Sequence, residues 1–298
     1  MMTLNGILAP VVTPFDASGA VDDDAFAANI RAHLEAGLHG VVVAGSTGEA
    51  ALLDEDERAR LVELARAALP SDRTLLIGTG AESTRAVIAR NRVAAERGAD
   101  GVLVVAPHYY GDAMTPEALR EHYLRIADVS PVPVLLYTIP KYMHFALPAD
   151  VVSVLAQHEN VVGMKDSSGD ATLLKGYLAS QSDSFSVLTG SGALFGEALG
   201  LGAHGGILAV ALFAPSLALE VLDAHRNARE SDRSAAQARL TPLATRIVAG
   251  MGVAGVKAAL DAIGLHGGAP RPPLRPAPME ASTLVRELVR SAELAPSR

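Results

Sequence analysis

Eight short apolar runs punctuate the first 210 residues, each followed by a longer polar or alanine-rich stretch, and this alternation limits the folds open to the chain more than any other feature. The runs are Ile7 to Val12, Gly40 to Ala44, Thr74 to Gly78, Gly101 to Ala106, Val132 to Tyr137, Val161 to Lys165, Phe185 to Thr189 and Gly206 to Val210. Between them, Asp23 to Ala36, Asp54 to Ala68, Ser83 to Arg97, Pro116 to Ala127, Pro148 to Gln157, Ala171 to Ser180 and Ala193 to Leu199 read as helices that end near glycine, proline or polar turns. Strands that alternate with helices are parallel and joined by right-handed crossovers. Eight such units predict an α/β fold of the closed (β/α)8 TIM-barrel type. An open doubly wound sheet usually has fewer strands and a glycine-rich nucleotide turn near its start.

After Pro215 the strand signal stops. Leu217 to Arg229, Ser234 to Ala249 and Val253 to Ile263 read as helices, and a last one runs from Met279 to Leu294. Before it, Ala269-Pro270-Arg271-Pro272-Pro273-Leu274-Arg275-Pro276 reads as a stiff strap, because each proline fixes its φ and removes a donor. We read residues 1–230 as the barrel with the catalytic site, and residues 231–298 as a helical appendage packed on it.

Composition narrows the partners. With 49% hydrophobic and 19% charged residues, 298 residues can bury a large core. The net charge of −8 comes without any lysine or arginine cluster, which gives no support for nucleic acid or an anionic membrane as partner. Cysteine is absent, so disulfides, thiolate metal sites and a cysteine nucleophile are excluded; this fits a cytoplasmic protein. No apolar window is expected to reach the length of a membrane span, and the N-terminus lacks a signal-peptide pattern.

A barrel carries its chemistry on the loops at the C-terminal ends of its strands. There, Lys165 closes the sixth run and is followed by Asp166-Ser167-Ser168-Gly169-Asp170. An amine at the rim of a dry core is poorly hydrated, which favours its neutral, nucleophilic form and imine formation with a carbonyl. The alternative is a lysine that snorkels to solvent. After the second run, Gly45-Ser46-Thr47-Gly48-Glu49 can turn backbone N–H groups toward a carboxylate or phosphate, or can simply cap the next helix. Tyr137 ends the fifth run, where it is either a proton carrier or rim packing. Tyr109 and Tyr110 follow the fourth run as interface anchors or a proton relay. Gly190-Ser191-Gly192 misses a dinucleotide-binding spacing and reads as a tight barrel loop, and Asp22-Asp23-Asp24 reads as helix capping rather than a metal site.

Together these groups resemble the pyruvate-dependent class I aldolases of the dihydrodipicolinate synthase and N-acetylneuraminate lyase family, over a stretch from Gly6 to Pro278. The resemblance implies that Lys165 forms a Schiff base with a 2-oxo acid, that Tyr137 moves protons, and that Ser46 links Tyr137 to a second tyrosine, Tyr109, delivered by a neighbouring subunit of a homotetramer. It also implies that Ser46 and Thr47 hold the substrate carboxylate through backbone N–H groups, and that Gly190 and Ile207 line the pyruvate pocket. No metal or organic cofactor is then expected. The arginine that grips aspartate semialdehyde in the synthases falls on Tyr142, with Lys141 beside it. Several segments instead look like the 4-hydroxy-2-oxoglutarate aldolases of the same family, which makes Ser167 a further polar contact and 4-hydroxy-2-oxoglutarate the expected substrate. Dihydrodipicolinate synthesis, sugar-acid cleavage and a non-catalytic 2-oxo acid binder are the alternatives.

Overall fold

The computed structural model describes residues 4–292. Eight strands, β1 (Gly6–Pro10), β2 (Gly40–Val43), β3 (Thr74–Gly78), β4 (Gly101–Val105), β5 (Val134–Thr138), β6 (Val161–Asp166), β7 (Ser186–Thr189) and β8 (Gly205–Ile207), pair in chain order. All are parallel, and β8 returns to β1, so the barrel is closed as the alternation predicts. Closure leaves no unpaired strand edge. Inside the barrel, Leu8, Val42, Leu76, Leu103, Leu135 and Leu188 form a buried cluster; a second, larger core fills the space between strands and helices.

Proline sets two of the strand limits. The first run stops being strand at Pro10, and the fifth starts only at Val134, after Pro131 and Pro133, because a proline has no N–H for the ladder. The crossover helices are α1 (Asp23–Glu35), α2 (Glu55–Ala68), α3 (Thr84–Glu96), α4 (Pro116–Val129), the single turn α5 (Pro140–Met143), α6 (Ala149–Leu155), α7 (Ala171–Leu178), α8 (Phe195–Leu201) and α9 (Pro215–Arg226). Side-chain caps fix several starts. Asp22 accepts from the Ala25 N–H, Asp54 and Glu57 form a capping box, and Ser83, Thr115 and Asp170 cap α3, α4 and α7. The acidic triplet is therefore a helix start, as read.

Three further helices, α10 (Glu230–Leu243), α11 (Gly250–Ala262) and α12 (Met279–Ser291), follow α9. α10 packs along α9, and α12 lies on α11. Leu294, expected at the end of the last helix, lies outside the described residues. The expected break between two helices at Gly250 to Gly252 is not a gap. α10 continues through a π-helical stretch, Ala244–Ala249, directly into α11, and the only interruption within α11 is Gly252, with φ 60° and ψ −144°. Pro242 supplies no N–H to the turn before it, and the wider π turn starts two residues later.

This continuity corrects one expectation. Glu230–Ala262 is 33 residues long and contains an 18-residue window with a mean hydropathy of 1.4, enough by length and composition for a membrane span. The physical reason for its apolarity is visible in the packing: Leu240, Leu243, Ile247, Val256 and Leu260 are buried within the protein.

Candidate active site

Strand pairing brings Tyr137 and Lys165 together. They are direct partners across β5 and β6, so their side chains emerge on one face of the sheet at one height. That face is the barrel interior because β6 carries an extra residue, Val162, opposite β5. Val161 belongs to the outer core and Val162 to the inner cluster. The bulge resets the alternation so that Met164 points out and Lys165 in. Both side chains are buried, at 3% and 6% exposure, and the Lys165 Nζ lies 4.5 Å from the centre of the Tyr137 ring. Asp166, next along, points away and holds the following loop by accepting from the Ser168 N–H (2.9 Å) and hydroxyl (3.0 Å). Burial raises its pKa, and the Ser168 contacts oppose that shift.

The loop after β7 completes this wall. A Cβ on Gly190 would fall 2.0 Å from the Ser167 Oγ and 2.8 Å from the Lys165 Cε, so only glycine lets the loop approach the lysine. The Gly190 N–H donates to the Asp166 carbonyl at 2.5 Å. Across the mouth, Ser46–Gly48 is a single 3-10 turn. Its first residues have no carbonyl one turn back, and among the hydrogen bonds of the described residues none is donated by the Ser46 or Thr47 N–H groups. Neither residue caps α2, a task that falls to Asp54. The turn is closed by Glu49 in the left-handed region (φ 60°), and the Thr13 hydroxyl donates to the Gly48 carbonyl at 2.8 Å.

These groups line one cavity of about 280 Å³. Ser46, Thr47, Tyr137, Lys165, Ser167, Gly190, Ile207 and Tyr142 all contribute to it, so eight of the nine site residues expected from sequence are brought together. Lys141 and Lys165 are the charged side chains of the lining, and no carboxylate joins them. Tyr142 sits on α5 at the lip, where burial raises the pKa of its hydroxyl. Beside it, Lys141 donates to the Ala249 carbonyl at 2.9 Å and so ties α5 to the π-helical stretch. Sequence reading missed the wall on that side, formed by Ala244, Val248, Ala249, Gly252, Val253 and Val256. The glycine pair in Gly250-Met251-Gly252 was the available signal.

Tyr109 is the ninth residue, and it lies outside the cavity. It is 77% exposed, packed edge to face on Tyr110, which is itself 70% exposed. The Glu82 carboxylate fixes this loop by accepting the N–H groups of His108 and Tyr109, both at 2.9 Å. Among the hydrogen bonds of the described residues, none joins Ser46 to Tyr137 or Tyr109. The expected tyrosine link is therefore not made within one chain.

The fold and the site define a closed parallel (β/α)8 barrel with a buried lysine at its C-terminal mouth, in a cavity whose lining carries no acidic residue. The chain belongs to the dihydrodipicolinate synthetase family, which it matches over residues 3–292. It is 37% identical over 275 residues to an uncharacterized DapA-like lyase from Halobacterium salinarum, covering 91% of this chain and 88% of the relative. A 4-hydroxy-tetrahydrodipicolinate synthase from Methanothrix thermoacetophila is 32% identical over 285 residues, covering 95% of each chain. Among solved structures, the chloride-inhibited dihydrodipicolinate synthase from Acinetobacter baumannii complexed with pyruvate superposes with a TM-score of 0.93 at 29% identity, covering 98% of this chain and all of that one.

Proposed function

We propose that the chain is a class I aldolase that joins Lys165 to a 2-oxo acid as a Schiff base and cleaves 4-hydroxy-2-oxoglutarate to pyruvate and glyoxylate. The observation that carries this reading is the cavity itself: a buried lysine facing a tyrosine, with Lys141 as the other charged side chain among the described lining residues. The free N–H groups of Ser46 and Thr47 bind the carboxylate beside the ketone, which sets C2 against the Lys165 amine. The amine adds to C2, water leaves, and the iminium draws the electrons of the C3–C4 bond as the C4 hydroxyl gives up its proton. Glyoxylate departs, the enamine takes a proton at C3, and water releases pyruvate. Tyr137 carries protons in these steps. The iminium is the electron sink, so the chemistry asks for no metal or organic cofactor.

Lys141 supports the choice of a substrate with two carboxylates, since it offers a point charge at the lip where an arginine fork is missing. The relative named as a 4-hydroxy-tetrahydrodipicolinate synthase favours a second reading, condensation of pyruvate with aspartate semialdehyde. Tyr142 at the arginine position speaks against it. The exposed Tyr109 and Tyr110 support a homotetramer in which this loop enters a neighbour's cavity.

The test begins with pyruvate and borohydride, read by intact mass and peptide mapping. A reduced adduct on Lys165 is expected, and a folded protein without one overturns the imine. Turnover of 4-hydroxy-2-oxoglutarate well above condensation with aspartate semialdehyde is then expected; the reverse order replaces the first substrate with the second.

A further inference from the structure

Behind the cavity the chain buries a second lysine together with a carboxylate. Lys257, on α11, places its Nζ 2.6 Å from the Glu49 Oε1, and the two side chains are 1% and 0% exposed. The same ammonium donates to the Ala269 carbonyl at 3.0 Å and lies 4.6 Å over the Phe15 ring. The other Glu49 oxygen accepts the Arg271 backbone N–H at 2.8 Å. Arg271 in turn grips Glu57 of α2 through two 2.6 Å contacts. At Gly267 a Cβ would lie 2.0 Å from the Lys257 carbonyl oxygen, so the segment before the prolines lies directly on α11.

Fold stability alone does not account for this arrangement. Removing two opposite charges from water offsets much of their attraction, and an apolar pair of similar volume often serves a core as well or better. The position of the pair is more telling. Glu49 closes the turn that carries Ser46 and Thr47: its N–H donates to the Ser46 carbonyl at 3.2 Å, and that of Ala50 to Gly45 at 3.2 Å. It does so with a left-handed backbone that a side-chain-bearing residue keeps only where its surroundings hold it. On the other side, Val256, the neighbour of Lys257, lines the cavity.

We propose that Glu49 and Lys257 are positioning residues: their buried ion pair, with the Arg271 N–H, holds the Gly45 to Ala50 turn in the shape that presents the Ser46 and Thr47 N–H groups to a 2-oxo acid carboxylate. This rests on the reading of that turn as the carboxylate clamp. Neither side chain touches substrate. Both act through the turn.

The test titrates pyruvate calorimetrically into the parent protein, Glu49→Gln, Lys257→Met and the double variant, with melting temperatures and borohydride trapping measured alongside. Each single variant is expected to bind pyruvate about ten-fold more weakly, the scale of losing one well-placed hydrogen bond to a charged group. The double variant, free of an unpaired buried charge, recovers most of the melting temperature but not the affinity. Affinity within two-fold of the parent in any folded variant overturns the proposal and leaves the pair a packing device. A parent that binds pyruvate without a borohydride adduct removes the imine chemistry, while the variants still decide the proposal by titration. A parent that neither binds nor traps pyruvate overturns both.

Discussion

The two sides of the cavity are built on different principles. On one side Tyr137 and Lys165 stand on neighbouring strands, each paired on both flanks, to Val105 and Leu188 respectively as well as to one another. On the other side Lys141 stands on a single helical turn, facing a π-helical stretch and a glycine with non-helical angles. The ladder fixes the backbone of Tyr137 and Lys165 from both flanks. The irregular side is held by single contacts such as that of Lys141 with the Ala249 carbonyl, and on the proposed reading it is where the charge and size of the far end of a substrate would be met. Bond-making groups need fixed positions to within a fraction of an ångström, whereas a long-range charge contact tolerates more.

Substitutions can break this contrast or sharpen it. Lys165→Ala is expected to abolish turnover and borohydride trapping while the melting curve stays cooperative; residual wild-type-like turnover would remove the lysine from the mechanism. Tyr137→Phe should lower kcat by about 10²- to 10⁴-fold, the span of a lost proton-transfer group, and a small loss would demote the ring to packing. Gly190→Ala pushes Ser167 and Lys165 from their places and should cost about 10²-fold in kcat/KM, which steady-state kinetics will show. On the irregular side the effects should be milder and of another kind. Lys141→Met is expected to raise KM about ten-fold for substrates with a second carboxylate, yet leave pyruvate trapping alone. Gly252→Ala meets no atom within 4 Å but must hold φ 60°, so it should cost about 1–3 kcal/mol of stability in denaturant unfolding, with the smallest change in turnover.

The same contrast decides what could be read before the structure. Tyr137 and Lys165 are legible because a polar residue that closes an apolar run marks a strand end, and a barrel assigns strand ends to its mouth. Even there the alternation is misleading: counted from Val161 in a regular strand, Lys165 would face outward, and only the extra Val162 turns it in. Ser46 and Thr47 announce themselves by the flanking glycines. The far wall does not, because most of its residues sit in what reads as ordinary helix, and the glycine pair between Ala249 and Val253 reads as a helix break rather than as part of a cavity. Glu49 was visible only as the end of a turn, since its partner Lys257 belongs to a distant helix and an apolar environment shows no sequence sign of the carboxylate it shelters.

The contact between Glu49 and Arg271 joins residues 222 positions apart, and that separation has a meaning in time. A chain is made from its N-terminus, so Glu49 emerges long before the Arg271 that holds it. A nascent chain would already contain Lys165 and Tyr137, but the turn that stands opposite them in the fold would still await its anchor. On the proposed mechanism, competence to bind substrate would thus wait for Arg271, and a nascent chain short of that residue would carry Lys165 without a shaped turn opposite it.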